Sequence, residues 1–170
     1  MTPAIIIIPD IGDHDPHCDA LYARAFGPGR HAKAASRLRD GNMCRRDLSM
    51  LAFMGETLVG ACRLWPIVAG NGVHALFLGP IAVDVAVRSE GVGHRLVAAC
   101  LAAIDSTQTM PVILVGDLSF FGSMGFDIVP ERQIVMPGPV DPKRLLWRLA
   151  GDQECGLPAG RLEKHIMVLD

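Results

Sequence analysis

The sequence has no excess of positive charge: sixteen Lys and Arg stand against eighteen Asp and Glu, a formal charge of −2. That balance gives no electrostatic footprint for nucleic acid or for an anionic membrane. It leaves room for a small anionic ligand, because local backbone dipoles hold an anion without net charge. Metal-type cysteine spacing is also lacking. Cys18, Cys44, Cys62, Cys100 and Cys155 lie far apart with no C-x-x-C, which argues against a disulfide framework and against a zinc site. Each reads as a small buried hydrophobe in a reducing, cytoplasmic compartment. Long apolar runs are missing too. No stretch approaches the roughly 20 apolar residues that cross a bilayer. The run from Ala4 to Ile8 follows no basic residue and is too short and wrongly flanked for a secretory signal.

Half of the 170 residues are apolar and 20% are charged. This is ample material for a core and the opposite of a disordered composition. At roughly 150 residues per domain, one domain over 1–170 is expected. The high mean hydropathy hints at a buried subunit interface, as in a homodimer.

Ile5 to Ile8 is a β-branched run closed by Pro9 and reads as a buried strand. Asp15-Pro16 reads as a helix start, with Asp at the N-cap and Pro at the first helical position. That helix runs to about Phe26, where Gly27-Pro28-Gly29 stops it. Residues 30–39, rich in Ala, Lys, Arg and Leu, predict a second helix. Residues 48–54 and 57–66 flank a turn at Gly55-Glu56 as an antiparallel hairpin. A third strand covers 73–84, broken at Gly79-Pro80, where a residue without an N–H marks a bulge or an edge. Residues 91–107 carry apolar residues at helical spacing, and 112–115 is a short apolar strand. Strand, helix, strand is a βαβ unit with a parallel pair. A short helix over 119–124 capped by Ser119, a helix over 143–150, and strands over 132–136 and 162–168 complete the prediction. The fold class is α/β: a mixed, largely antiparallel central sheet with a βαβ unit and flanking helices.

The chemistry sits where the third strand meets the long helix. Gly91 and Gly93 remove Cβ atoms where a ligand must approach the backbone. The first N–H groups of the helix have no partner in the helix and, with the positive end of its dipole, form an anion site. A dinucleotide fingerprint would need a third glycine where Leu96 stands, and the G-K-[ST] of a P-loop is absent.

The pattern that is present is R-x-x-G-x-G, formed by Arg88, Gly91 and Gly93 after L-x-x-I-A-V-D. It resembles the signature of the GNAT superfamily of acyl-CoA-dependent N-acetyltransferases. A second block, Val112 to Asp117 followed by Phe120-Phe121-Gly122-Ser123-Met124-Gly125-Phe126, is similar to that family's later strand and short helix. Together with L-G-P-x-A-V and Pro137-Gly138-Pro139, it looks most like the YhbS-like branch. The resemblance implies that acetyl-CoA lies in a gap where the strand ending at Asp84 parts from the one ending at Gly116. Backbone groups of Ile81, Ala82 and Val83 would pair with the pantetheine arm. N–H groups from Ser89, Glu90, Gly91, Val92, Gly93 and His94 would take the pyrophosphate, Arg88 would order the turn or meet a phosphate, and Phe121 would border the cofactor. An acceptor amine, on a small molecule or a peptide, would attack the thioester directly, with a backbone N–H near Val83 at the developing oxyanion. No metal is implied.

Two departures bear on catalysis. Phe121 stands where many relatives carry the Tyr that protonates the leaving thiolate; Ser119 or a water would serve instead. The place of the family's strand Glu falls near Phe77, which leaves Asp117 as the better base and Asp84 as a turn residue. These gaps keep open a second reading, a non-catalytic acyl-CoA-binding or sensory module on the same fold. Arg24, Arg30, His31, Arg37 and Arg39 form either a solvated face or a site for an acceptor bearing a carboxylate or phosphate.

Overall fold

The structure is a computed structural model that describes residues 1–107, 109–151 and 156–166. In chain order it contains β1 (Ile5–Pro9), α1 (Asp15–Phe26), α2 (Ser36–Arg39), β2 (Met50–Met54), β3 (Thr57–Val68), β4 (His74–Val83), α3 (Val92–Thr107), β5 (Val112–Val115), α4 (Leu118–Phe121), β6 (Asp127–Ile128), β7 (Ile134–Val135), β8 (Leu145–Arg148), β9 (Gly160–Arg161) and β10 (Glu163–Lys164). The main sheet runs β1-β2-β3-β4-β5-β8-β6, with β10 beside the far end of β3. Only β4 and β5 are parallel within it, as the helical crossover requires. None of the helices described is long and apolar enough to cross a membrane.

β3 is buried along nearly its whole length because helices cover both sheet faces. On one face α3 lays Val92, Leu96, Val97, Cys100 and Ile104 against Ala52, Cys62, Leu64 and Leu76. On the other, Cys18, Leu21 and Tyr22 of α1 pack on Leu51, Leu58, Ala61 and Ala82. A Cβ at Gly60 would come within 2.9 Å of Leu96 Cδ1 and 3.2 Å of Val92 Cγ1, so that glycine sets how closely α3 approaches the sheet. Cys18, Cys62 and Cys100 are buried, as expected, while Cys44 is half-buried; Cys155 lies outside the described residues.

The predicted helix over 143–150 is a strand. β8 fills the space between β5 and β6, with Leu146 entering the α3-side core and Trp147 the opposite one. Two-faced burial outweighs the helix propensity of Leu and Arg. The predicted helix over 30–39 is interrupted. Residues Pro28–Ala32 form a 3-10 turn and Lys33 is extended. The Ser36 hydroxyl lies 2.8–3.1 Å from the carbonyl oxygens of Arg30, His31 and Lys33, taking up acceptors that a continuous helix would use. The C-terminal strand expected over 162–168 is reduced to β10, and its last two positions are not among the described residues.

Asp15 does not cap α1. His14 occupies the N-cap without a side-chain bond, and the Asp15 carboxylate instead meets Arg46 at 2.8 Å and the buried Arg63. Asp10, with no exposed side-chain surface, completes the set through Arg63 at 3.0 Å and Arg46 at 3.2 Å. Two cations and two carboxylates thus neutralise one another where α1 starts above β3. The hydrogen bond from Arg46 holds the Asp15 carboxyl below its ordinary range, against the opposing effect of burial and with Arg63 adding to it. Lowering the folded-state pKa stabilises the protein above the unfolded value of about 4 and loses that contribution as pH falls through the folded value. Asp15 is nearly half exposed, so its share is about 1 kcal/mol or less. Asp15→Asn is expected to lower the urea midpoint at pH 7, and the gap from wild type is expected to be smaller at about pH 3, where the pH has fallen below the unfolded value of about 4. An equal gap at both pH values would refute the assignment.

Candidate functional site

β4 and β5 pair at two positions, Leu76 with Val112 and Phe77 with Ile113, and then separate. The cause lies on the other edge of β4. Cys62 pairs with Ile81 but Leu64 pairs with Leu78, so Gly79 and Pro80 together oppose the single residue Arg63. This is the bulge that Pro80 predicts, and it turns β4 away from β5. The Trp65 indole donates to the Gly79 carbonyl oxygen at 2.6 Å and fixes the bulge. The separation opens a cleft of about 880 Å³ bordered by 78–81 of β4, 114–117 beyond and within β5, and side chains from α1 and α2.

The strand alternation decides which backbone groups face the gap. The Asp84 N–H reaches the Val59 carbonyl oxygen of β3 at 2.8 Å, and Ala82 pairs with Ala61 two positions earlier. In an antiparallel ladder this directs Asp84 and Ala82 toward β3, and Ile81 and Val83 toward the other edge. Of the three expected strand contacts, Ile81 and Val83 therefore present backbone groups to the gap. Ala82 does not: its backbone belongs to the β3 ladder and its side chain to the α1-side core.

Beyond Val83, a 3-10 turn over Val85–Glu90 leads into α3. The Asp84 carboxylate accepts from the Ala86 N–H and so serves as the turn residue expected. Arg88 Nε donates to the Val83 carbonyl oxygen at 3.4 Å, so Arg88 ties the turn to the strand end. Ser89 and Glu90 are exposed. Gly91 has φ +68°, a left-handed conformation that glycine adopts without penalty. The N–H groups of Val92, Gly93 and His94 open α3 and have no acceptor within that helix, whereas Arg95 N–H returns to Gly91 O. Gly93 is not strained, and a Cβ there would sit 3.6 Å from Val83 Cγ2 and 3.7 Å from Phe120 Cζ. The glycine turn lies outside the 880 Å³ cleft, and Phe120, which lines that cleft, bridges the two.

Phe121 is buried and borders the cleft as expected. Its ring leans on Gly116, where a Cβ would come within 2.4 Å of it, and packs edge-on against Phe126. Asp117 also borders the cleft, bonded to Arg144 at 3.0 Å. Ser119 does not. It is exposed, lies outside the cleft lining, and does not cap α4, whose N-cap position is Asp117 with no side-chain bond. Phe77 is buried beneath the floor, so the strand supplies no carboxylate there. Reasoning from sequence passed over Phe120, inside the block it had marked, and Tyr22, the only tyrosine, whose hydroxyl is buried on the cleft wall without a partner among the described residues. No group of His, Cys, Asp or Glu suited to a metal occurs among the described residues.

Gly116→Ala should drive Phe121 from its seat, costing about 1–3 kcal/mol as overpacking does. A thermal melt checks it, and an unchanged midpoint would show that the ring is not confined.

The family model described as Acetyltransferase (GNAT) family matches residues 17–126, from α1 through the Gly-Phe pair. The chain is 26% identical over 152 residues to the uncharacterized N-acetyltransferase YhbS of Escherichia coli K12, covering 88% of this chain and 90% of that one. Its fold is similar to the crystal structure of YhbS from Escherichia coli in complex with CoA, with a TM-score of 0.75, 24% identity, and 97% and 93% of the two chains covered. A GNAT family acetyltransferase from Brucella melitensis, in complex with acetyl-CoA, has a TM-score of 0.66 at 19% identity, with 95% and 96% covered.

Proposed function

Since the chain belongs to the acetyltransferase (GNAT) family, we propose that it transfers an acetyl group from acetyl-CoA to a primary amine by direct attack. One observation carries the reading. The first amides of α3, which have no acceptor within their helix, follow a strand whose gap-facing edge at Ile81 and Val83 is paired by no other strand among the described residues, the Val83 carbonyl oxygen meeting only the Arg88 side chain at 3.4 Å. Buried or half-buried backbone groups seldom go without partners, and a pantetheine diphosphate supplies partners to both sets.

The residues fit such a ligand. N–H groups of Val92, Gly93 and His94 converge on the positive end of a sixteen-residue helix, where an anion gains about 0.3–1 kcal/mol from the dipole and more from the hydrogen bonds. Arg88 orders the turn. The exposed Glu90 side chain stays in solvent, away from the pyrophosphate. Ile81 and Val83 extend the sheet with the pantetheine amides. Bound acetyl-CoA supplies an activated thioester. The Val83 N–H faces the gap as a donor for the thioester oxygen, and the cleft walls hold the amine in line. The amine nitrogen bonds the acetyl carbon, the carbon–sulfur bond breaks, and the amine's proton departs to water by way of Asp117. With Phe in place of Tyr at 121, the sulfur leaves as thiolate or takes a proton from water, which its pKa near 8.5 permits. We place this chemistry in the cytoplasm, where the free thiols of Cys18, Cys44, Cys62 and Cys100 persist.

Gly93→Trp puts bulk over the first amides of α3 at a position that is not strained. Acetyl-CoA affinity by calorimetry should fall at least about tenfold with the melting temperature nearly kept; unchanged affinity would place the pyrophosphate elsewhere. Asp117→Asn should lower kcat about tenfold and leave acetyl-CoA affinity within about twofold. Tight binding with no thiol release across a broad amine panel would replace the transferase by an acyl-CoA-binding module.

A further inference from the structure

The cleft is lined by a half-buried cation that, among the described residues, makes neither a hydrogen bond nor an ion pair. Three of the four arginines near α1 and α2 are engaged: Arg24 lies 3.7 Å from the Asp84 carboxylate, Arg30 donates to the Gly27 carbonyl oxygen at 3.1 Å, and Arg37 donates to the Pro137 carbonyl oxygen. Arg63, also on the cleft wall, is matched by Asp10 and Asp15. Arg39 is different. It ends α2, is half-buried on the cleft wall, and among the described residues its side chain has neither an ion pair nor a hydrogen bond. Burial lowers its pKa, and Tyr22 and the Asp40 carboxylate offset that effect only in part. Its Nη1 lies 4.0 Å from where a side chain would begin at Gly79, so the guanidinium sits at the bulge where β4 leaves β5.

A second unsatisfied group is close by. Tyr22 is 6% exposed, lines the same cleft, and its hydroxyl has no partner among the described residues. A buried hydroxyl without a partner and a half-buried guanidinium without an anion both cost stability. Their donors, a planar fork and one O–H, together match the two oxygens of a carboxylate.

We propose that Arg39 and the Tyr22 hydroxyl bind a carboxylate on the acceptor, so that the amine acetylated belongs to a free amino acid or a similar small amino carboxylic acid. The proposal rests on the acetyl-transfer reading above. A dianionic phosphate fits less well, because Asp19, Asp40, Asp117 and Asp141 share the cleft lining with the cations. The same carboxylates suit the ammonium end of the acceptor as it enters. Held at the bulge, the carboxylate places the amine at the mouth of the gap, where its nitrogen forms the amide as the carbon–sulfur bond breaks and one proton is released.

The test is a thiol-release assay on matched acceptors, each free amino acid beside its decarboxylated amine, such as alanine with ethylamine and tryptophan with tryptamine. Calorimetry with acetyl-CoA runs in parallel. Wild type should prefer at least one amino acid over its amine by about tenfold or more in kcat/KM. Arg39→Gln should raise KM for that amino acid about tenfold to a hundredfold and bring the preference close to one, with Arg39→Lys intermediate. Tyr22→Phe should raise the same KM about threefold while the melting temperature holds or rises, because the hydroxyl it removes has no protein partner. A preference near one in wild type, or one untouched by Arg39→Gln, overturns the proposal and leaves acetyl transfer standing. So does acetyl-CoA binding with no release from any amino acid. Failure of acetyl-CoA to bind removes the transferase reading, and this proposal with it.

Discussion

The parting of β4 from β5 after two residue pairs is the constraint on which the rest of the molecule depends. A parallel pair inside a buried sheet ordinarily continues, because each further residue satisfies backbone groups that water cannot reach. Here Gly79 and Pro80 oppose one residue of β3, and the strand turns. The separation leaves a cleft with Phe120 on one wall, between the cleft and the N-terminus of α3, and α1 and α2 on another. An extended, amide-bearing chain ending in phosphates fits the first part of that shape. A small polar acceptor fits the second.

Two arrangements of charge flank the bulge and serve opposite ends. Arg63, directly across from Gly79 and Pro80, is locked by Asp10 and Asp15, with Arg46 completing the set. A buried ion pair of this kind adds little net stability over an apolar filling but is costly to break, on the order of 3–5 kcal/mol. Its role is to fix the start of α1 above the sheet and so hold one cleft wall. Arg39, on the opposite side of the bulge, is left without such a match. Of these two cleft-wall arginines, Arg63 is ion-paired and Arg39, among the described residues, is not.

The aromatic residues set the chemical character of the other wall. Phe121 is seated on Gly116, and Phe120 links that wall to the glycine turn through its contact beside Gly93. None of these rings carries a proton. Phe77 likewise puts a ring beneath the floor where a carboxylate would act as base. Under the acetyl-transfer reading, this wall aligns the partners and leaves proton exchange to Asp117 and water, and alignment supplies a large part of the rate in acyl transfer.

The local pattern determined the elements whose sequence and surroundings agree. The β-branched first strand, the hairpin about Gly55-Glu56, the long amphipathic helix and the break at Pro80 were legible because each rests on periodicity, turn chemistry or a missing N–H. The glycine turn was legible for the same reason, since Gly91 and Gly93 act through their own backbone. Other features were decided only by tertiary contacts. Residues 143–150 have a helical composition, yet become a strand because β5 and β6 offer edges on both sides. Asp15 has the local look of a cap, but two arginines distant in sequence claim it. Ala82 is set apart from Ile81 and Val83 by ladder phase, which depends on its partner strand. Which of several similar arginines keeps its charge free depends on where each acidic partner lies in space, and the sequence does not record that distance.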